Sequence, residues 1–410
     1  MSRQAAIRIF VLFALGYFLS YVYRGLNIGF APFLSREMNL TASDLGLLTS
    51  FYFIGFALAQ LPAGLALDRY GARRTDAILL LVAAAGTVLY GMTHSMQGLI
   101  IGRIMIGVGV SVCLGAGFLA IAQNFPSSRW PLLNGLMVAL GGMGGVVVGT
   151  PLAVLLTQYT WREISVGMAV FTIAVAAVIW LLVPESKQRM APHESVSKQI
   201  HGVRIILKNA VFWRVVPFPC AVGGAFYAAQ SLWVKPYLTD VSGLTARQAD
   251  SLVSMLGLTM VAGTVITGLV ARRIERYGLG LRAFCGLGMT LFVLVQLLIL
   301  FRVPVAPSLI WGAYGFVAAS CILAYALLAE VFPRKVVGRV TTAFNMIFFI
   351  SIFSMQVGVG FVLDFWPATD GQYPAVAHLT GWGIMIAIQL VSAILYFWPG
   401  ALKVDEQLFE

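Results

Sequence analysis

Charge is what this chain has least of. Only 10% of its 410 residues are Asp, Glu, Lys or Arg, against about a quarter in a soluble globular domain. With 60% hydrophobic residues and a mean hydropathy of +0.89, a water-soluble fold is excluded. Cysteine is almost as scarce. Cys113, Cys220, Cys285 and Cys321 lie far apart inside apolar runs and read as small packing residues, which excludes a disulfide framework or a cysteine metal site. The four histidines, His94, His193, His201 and His378, are scattered in or near loops, where they are expected to be solvated. No metal-ligand cluster or nucleophile–base set appears, so neither an enzyme nor a bound cofactor is expected. Carboxylates are missing from the middle of every apolar run: Asp68, Asp240, Glu330 and Asp364 all stand near run ends.

What is present is length and apolarity. A membrane-spanning helix needs about 20 apolar residues, and twelve such runs can be placed at roughly 8–34, 44–67, 76–93, 97–122, 131–156, 164–183, 210–237, 246–270, 282–301, 305–329, 339–363 and 378–400. They read as helices, since no stretch shows the ten-residue alternation of barrel strands. The expected fold class is therefore all-α and membrane-spanning. The cations then set orientation. With the amino terminus cytoplasmic, twenty of the 27 Lys and Arg fall on the cytoplasmic side, four on the other, and three, Arg24, Arg103 and Lys235, inside spans. Such a bias places both termini in the cytoplasm of a multi-pass protein of the cell (inner) membrane. It also accounts for the net charge of +11 without nucleic acid, because the cations sit in short juxtamembrane loops facing lipid headgroups. The first run is too long for a signal peptide and contains Arg24, so it is expected to be retained.

The chain repeats itself. Asp68-Arg69-Tyr70-Gly71 follows the second span and Glu275-Arg276-Tyr277-Gly278 follows the eighth, 207 positions later; at the same offset Ala122-Gln123-Asn124-Phe125-Pro126 returns as Ala329-Glu330-Val331-Phe332-Pro333. Two matches at one offset predict two six-helix halves, 1–183 and 209–410, joined by a polar linker at 184–208. Two parallel bundles can rock about a site at their interface, which is the mechanics of an alternating-access carrier.

One of the repeated loops resembles a family signature. Gly64-Leu65-Ala66-Leu67-Asp68-Arg69-Tyr70-Gly71-Ala72-Arg73-Arg74 is similar to the loop between the second and third helices of the major facilitator superfamily. Helix count, cytoplasmic termini and the two-half repeat extend the resemblance over the whole chain. On physical grounds Gly64 permits close helix approach, Asp68 can meet Arg or helix-start N–H groups, Gly71 permits the tight turn, and Arg73 and Arg74 anchor at headgroups. The resemblance implies a gate built from Gly64, Asp68, Arg69, Gly71, Arg73 and Arg74, favouring the outward-facing state, with Glu275 and Arg276 as its departed second copy. Arg103-Ile104-Met105-Ile106-Gly107-Val108-Gly109 resembles a family motif with an embedded arginine. Gly141-Gly142-Met143-Gly144-Gly145, ending at Gly149-Thr150-Pro151, resembles the glycine-rich fifth-helix motif of antiporters, though its order differs and the glycines read first as packing and bending positions.

An ionised side chain at lipid depth costs roughly 2.5–3.5 kcal/mol on insertion scales, so it is usually turned inward and functional. Arg24, near the middle of the first span, shares a helical stripe with Tyr17, Ser20 and Tyr21. Tyr227, Gln230 and Ser231 share a face of the seventh span, and Asn345 and Gln356 one of the eleventh. With Arg103 and Lys235, these are the expected substrate-binding residues. Three embedded cations without a mid-span acid point to an anionic substrate. The resemblance adds that Arg24 matches the first-helix arginine of the organic-phosphate and organic-anion branches. The phosphate branch's seventh-helix arginine is replaced here by the Tyr227 and Gln230 face, so a carboxylate-type anion is expected in place of a phosphate ester.

The expected function is secondary active or facilitated transport of a small organic anion by a monomer in the lipid bilayer, with protons or another ion as possible coupling partners. A proton-coupled drug or cation efflux antiporter is the first alternative, and it needs an embedded acid. A non-transporting receptor or sensor on the same fold is the second, and it needs an added soluble domain.

Overall fold

The structure, a computed structural model, describes residues 3–126, 129–184, 196–274, 278–333, 336–369, 371–400, 402 and 404. Among these residues, nine helices are individually long and apolar enough to cross a membrane. One of them, Ala42–Met92, runs to 51 residues and is two spans: Gly71 leaves helical geometry at φ 80°, ψ 168°, and the Thr75 hydroxyl donates back to the Ala66 carbonyl across the turn. Two further spans are assembled from shorter pieces because glycine and proline interrupt them. The fifth comprises Trp130–Gly142, Gly144–Val147 and Thr150–Leu155; the seventh comprises Ala210–Val215, Pro217–Ala228, Ala229–Trp233 and Val234–Asp240. The twelve helices are α1 (Arg3–Met38), α2 (42–70), α3 (72–92), α4 (Met96–Asn124), α5 (130–155), α6 (Trp161–Leu182), α7 (210–240), α8 (Ala246–Ile274), α9 (Leu281–Leu300), α10 (Pro307–Val331), α11 (Val337–Leu363) and α12 (Ala375–Phe397). A linker helix, Val196–Lys208, rests on α11 through buried Val203 and Ile206.

The repeat is visible as geometry. Helix α4 breaks at Ser111–Val112, and α10 loosens into a 3₁₀ stretch at Ala319–Leu323. The two irregularities stand at nearly the offset of 207 that relates the loop motifs. Buried apolar side chains of both bundles form one continuous cluster. In the second bundle, Tyr237, Phe292, Trp311, Tyr314 and Trp382 interlock, with ring centroids 4.7 Å apart for Phe292 and Tyr314 and 5.2 Å for Tyr237 and Trp382. Such pairs are worth about 0.5–1.5 kcal/mol each beyond their buried area, which matters where lipid removes the usual hydrophobic drive between helices.

The two bundles meet along α2–α11 and α5–α8, and glycine sets how closely. We call the end bearing the Gly71 turn the basic face and the opposite end the far face. Near the far face, a Cβ on Gly46 would stand 2.9 Å from the Gln356 carbonyl, one on Gly360 2.6 Å from the Ala42 carbonyl, and one on Gly257 2.6 Å from the Gly145 backbone. Toward the basic face, Gly64, Gly135, Gly268 and Gly338 meet nothing within 4 Å. At about 100° per residue Gly64, Gly268 and Gly338 lie within about 40° of the contact-making glycines Gly46, Gly257 and Gly360 of their own helices, so they face the other bundle across open space. The bundles are pinched together at the far face and splayed at the basic face.

Candidate functional site

The site is built where α1 and α7 cross between the bundles. Arg24 of α1 is 7% exposed, and its guanidinium lies 4.5 Å from the centre of the Tyr21 ring and 5.0 Å from that of Tyr227. The two phenol hydroxyls touch at 3.3 Å, joining the bundles above the cation. Tyr17 stacks edge-on against Tyr21 at 5.3 Å, and Tyr52 of α2 closes the box. Aromatic faces offer a cation a few tenths to about 2 kcal/mol, which softens the burial of a charge without cancelling it. The Arg24 Nε has no hydrogen-bond partner, and among the described residues no carboxylate comes within ion-pairing distance.

Helix α7 is aimed by a π-helical turn at Ala229–Trp233, a local widening that often marks functional sites. It turns Gln230 to a place where its amide meets only the Met260 sulfur, at 4.0 Å. Ser231 donates to Gln356 Oε1 at 3.1 Å and the Trp233 indole to the Gln356 carbonyl at 3.0 Å, while the buried Gln356 Nε2 has no acceptor. Asn345 stands apart, accepting a hydrogen bond from Tyr325 of α10. Arg24, Tyr17, Tyr21 and Tyr227 thus converge, while Gln230 turns to Met260 of α8 and Gln356 to Ser231 and Trp233 of α7.

The other two embedded cations are different in kind. Arg103, 1% exposed, lies inside the first bundle 5.6 Å from the Tyr52 ring; it donates Nη1 to the Tyr23 carbonyl at 3.1 Å, and like Arg24 it has unpartnered nitrogens, Nε and Nη2. Lys235 has a counter-ion that the sequence reading did not foresee: its ammonium is 2.6 Å from Asp250 of α8. That pair lines a far-face cleft of about 490 Å³, with Pro32, Arg36, Trp233 and Tyr373. His378 also departs from expectation. It is 1% exposed and lies 3.0 Å from Asp240, so it is a packed partner of that carboxylate and not a solvated loop residue.

The far face is closed by main-chain contacts. Asp364, just past α11, takes hydrogen bonds from the first N–H groups of α2, at 3.0 Å from Ala42 and 2.9 Å from Ser43, and from the Tyr373 hydroxyl at 2.9 Å. Burial alone would push the Asp364 carboxyl up, but the hydrogen bonds from Ser43, Tyr373 and Thr41 outweigh it and hold it below its ordinary range. The Tyr373 phenol is pushed up to about 12, by burial first and then by that carboxylate. On the α5–α8 seam, Ser254 accepts from the Thr150 N–H at 2.8 Å and donates to the Val146 carbonyl at 2.9 Å. The interrupted fifth helix supplies both groups, and its glycines are packing sites: Gly141 lies under the Tyr17 ring and Gly145 against Gly257.

Of the loop signature, Gly64 faces open space, Gly71 makes the turn, Arg69 lies 5.2 Å from the Tyr70 ring and Arg73 5.5 Å from the Trp180 ring. Asp68 and Arg74 are exposed on the basic face. Glu275 and Arg276 lie outside the described residues. Sequence reasoning missed Asn27 and Tyr52. Asn27 donates to Thr49 at 2.8 Å and accepts from Tyr90 at 2.9 Å; its step of three from Arg24 was the available signal.

Comparison with known proteins agrees with this architecture. A "probable sulfoacetate transporter SauU" of Cupriavidus necator is 24% identical over 278 residues, covering 63% of each chain. A "hexuronate transporter" of Bacillus subtilis is 24% identical over 262 residues, covering 60% of this chain and 61% of its own. The chain thus spans a little under two thirds of the length of these relatives. Among solved structures, a bacterial homologue of the human lysosomal transporter Spinster, in an inward-facing and unoccupied conformation, superposes with a TM-score of 0.77 over 97% of both chains at 17% identity. A D-xylose–proton symporter superposes with a TM-score of 0.71 over 97% of this chain and 98% of its own, at 15% identity. These likenesses support the fold. The family profile of the Major Facilitator Superfamily matches residues 13–355, and with twelve helices in two pseudo-symmetric bundles the chain belongs to that superfamily.

Proposed function

We propose that this protein carries a small organic anion of carboxylate or sulfonate type across the cell membrane by alternating access, with both termini and the basic face in the cytoplasm. In that orientation the pinched far face and splayed basic face make the present conformation inward-facing. Residues 1–183 and 209–410 form the rocking halves, 184–208 the linker, and the carrier works as a monomer. One observation carries the reading: Arg24 is a cation at the seam of the halves, boxed by tyrosines and without a carboxylate partner among the described residues. A buried charge of this kind is costly unless paired, and an anionic ligand supplies the pair. The unpartnered Gln356 Nε2 and the Gln230 amide, which meets only the Met260 sulfur, suit further oxygen atoms on the ligand. The sulfoacetate and hexuronate named for the two relatives are anions of this class.

The test is counterflow in proteoliposomes with sulfoacetate, glucuronate and galacturonate as probes, beside uncharged glucose. The reading expects exchange of at least one anion and none of glucose. Arg24→Gln should abolish it and Arg24→Lys should weaken it by about tenfold or more, because the forked geometry is lost. Normal exchange by both variants would refute the assignment.

A further inference from the structure

Within the first bundle, Asp76 meets no cation and no N–H or O–H donor among the described residues. One turn into α3, it is 0% exposed, and among the described residues the weakly donating Cys113 thiol is the one polar group against its carboxyl oxygens. Asp76 faces Gly16 of α1, whose missing side chain makes the room: a Cβ there would stand 3.4 Å from Asp76 Oδ2, 3.9 Å from Leu80 and 4.0 Å from the Cys113 sulfur. The ionisable groups around it are few. Helix α4 presents the Cys113 thiol, α1 presents Gly16, and on α3 itself Arg73 turns to Trp180 of α6 and Arg74 to the surface. Among the described residues no cation faces the carboxyl.

We infer that Asp76 is a proton-binding site, occupied in this conformation, and that its proton is coupled to movement of the anion at Arg24. An ionised carboxylate with no donor stronger than a thiol and no counter-ion cannot be held in a dry bundle, so the group is a neutral carboxylic acid here. Its release as carboxylate and proton requires the packing around Gly16 and Cys113 to open to water.

The coupling lies in what α4 shares. Cys113 begins the second segment of α4, directly after the break at Ser111–Val112. The last carbonyl of the first segment, that of Val110, accepts a hydrogen bond from Ser20 of α1 at 3.5 Å. The Ser20 carbonyl takes the Tyr52 hydroxyl at 3.0 Å, and Tyr52 faces Arg24. Asp76 and Arg24 thus bear on the two sides of one broken helix and on the same helix α1. A shift of α1 against the α4 break, as an anion draws Arg24 toward α7, changes the space over Asp76. Two sites that bias one two-state element are coupled, typically by about 5–150-fold.

The inference rests on the transport reading for its flux arm, and the experiment separates the two. In lipid vesicles without substrate, infrared spectroscopy of the purified protein should show a protonated-carboxyl C=O band that Asp76→Asn removes and Asp76→Glu retains at shifted frequency. In proteoliposomes, the anion active in counterflow should accumulate when a pH gradient is imposed, and its uptake should move protons into a lumenal pyranine reporter. Asp76→Asn should lose that accumulation by about tenfold or more while keeping counterflow near wild type. Absence of the Asp76-dependent band, or unchanged proton movement in Asp76→Asn, overturns the inference. The spectroscopic arm stands even where none of the probe anions is carried, an outcome that defeats the Arg24 reading alone. Should Asp76→Asn fail to fold, Asp76→Glu and Cys113→Ser serve in both arms, since either alters the band and the pH dependence of accumulation.

Discussion

Asp364 offers the sharpest test of how the far face is held. Its carboxylate accepts the Ala42 and Ser43 N–H groups at 3.0 and 2.9 Å, across the seam between the bundles. A hydrogen bond to a charged acceptor is worth about 1.5–3 kcal/mol, and the positive end of a helix favours the same charge by a few tenths of a kcal/mol or more. The carboxyl is exposed on one side, so solvent and salt screen it. Halving the two bonds leaves about 2 kcal/mol for the contact, a factor of about 30 in the closed-to-open ratio. Asp364→Ala should lose that whole factor. Asp364→Asn keeps one acceptor oxygen and should lose about fivefold. Spin labels at Gln158 and Ser242, both exposed on far-face loops of opposite bundles, would report it as a longer distance population by pulsed electron resonance; the native cysteines are buried and do not compete. Acid gives a second readout. Because the hydrogen bonds lower the carboxyl's pKa in the closed form, the contact is present in full above the ordinary carboxylate range and is lost as pH falls through the lowered value. The closed population should stay flat through neutrality and drop only in acid below about pH 4. Unchanged distances in both variants would show that the glycine seams alone hold the face, and the reasoning about Asp364 would fail.

Two further predictions follow from the packing. Gly257→Leu would drive its side chain into the Gly145 backbone, where even a Cβ has only 2.6 Å, so the same labels should separate; Gly64→Ala meets nothing and should leave the melting temperature of this conformation within about 1 °C, since surface changes usually stay within ±0.5 kcal/mol. Gln296 and Gln389 bond to each other between α9 and α12 at 2.8 Å while fully buried. Either single change to Leu should cost about 1–3 kcal/mol and the double change much less, by thermal unfolding in detergent, because the pair removed together strands no polar group.

How much of this was legible beforehand depends on the range of the signal. The twelve runs, the repeat and the Arg24 stripe were readable because each is local: hydropathy, one offset, one helical period. Lys235 shows where that ends. Its partner Asp250 stands 15 positions on, beyond a turn and at the start of the next helix, and a count of acids near run ends cannot say which of them swings inward. Asp240 and Asp364 illustrate the same point: one holds buried His378, the other caps a helix of the opposite bundle. Asp76 was hidden for a different reason. It opens the third run, where a carboxylate ordinarily meets water, and only the missing side chain at Gly16 makes room to bury it. Tyr52 was passed over because an aromatic in an apolar run carries no polarity signal, although it faces both Arg24 and Arg103.

The contrast between those two arginines bears on mechanism. Both are buried among tyrosines in the first bundle, yet Arg103 is tied to a backbone carbonyl at 3.1 Å, wholly within its own bundle. Its surroundings need not change when the bundles rock. Arg24 faces Tyr227 of the other bundle, so rocking changes its environment directly. Where the seam opens, water can solvate the guanidinium; where it closes, that solvation is lost and no carboxylate of the described residues replaces it. On the proposed function, an empty carrier would meet its highest electrostatic cost when both sides are shut, and an anion on Arg24 would lower that cost. The same charge that attracts the ligand would then make the passage of the loaded carrier faster than that of the empty one, which is the condition for exchange to outrun net flux.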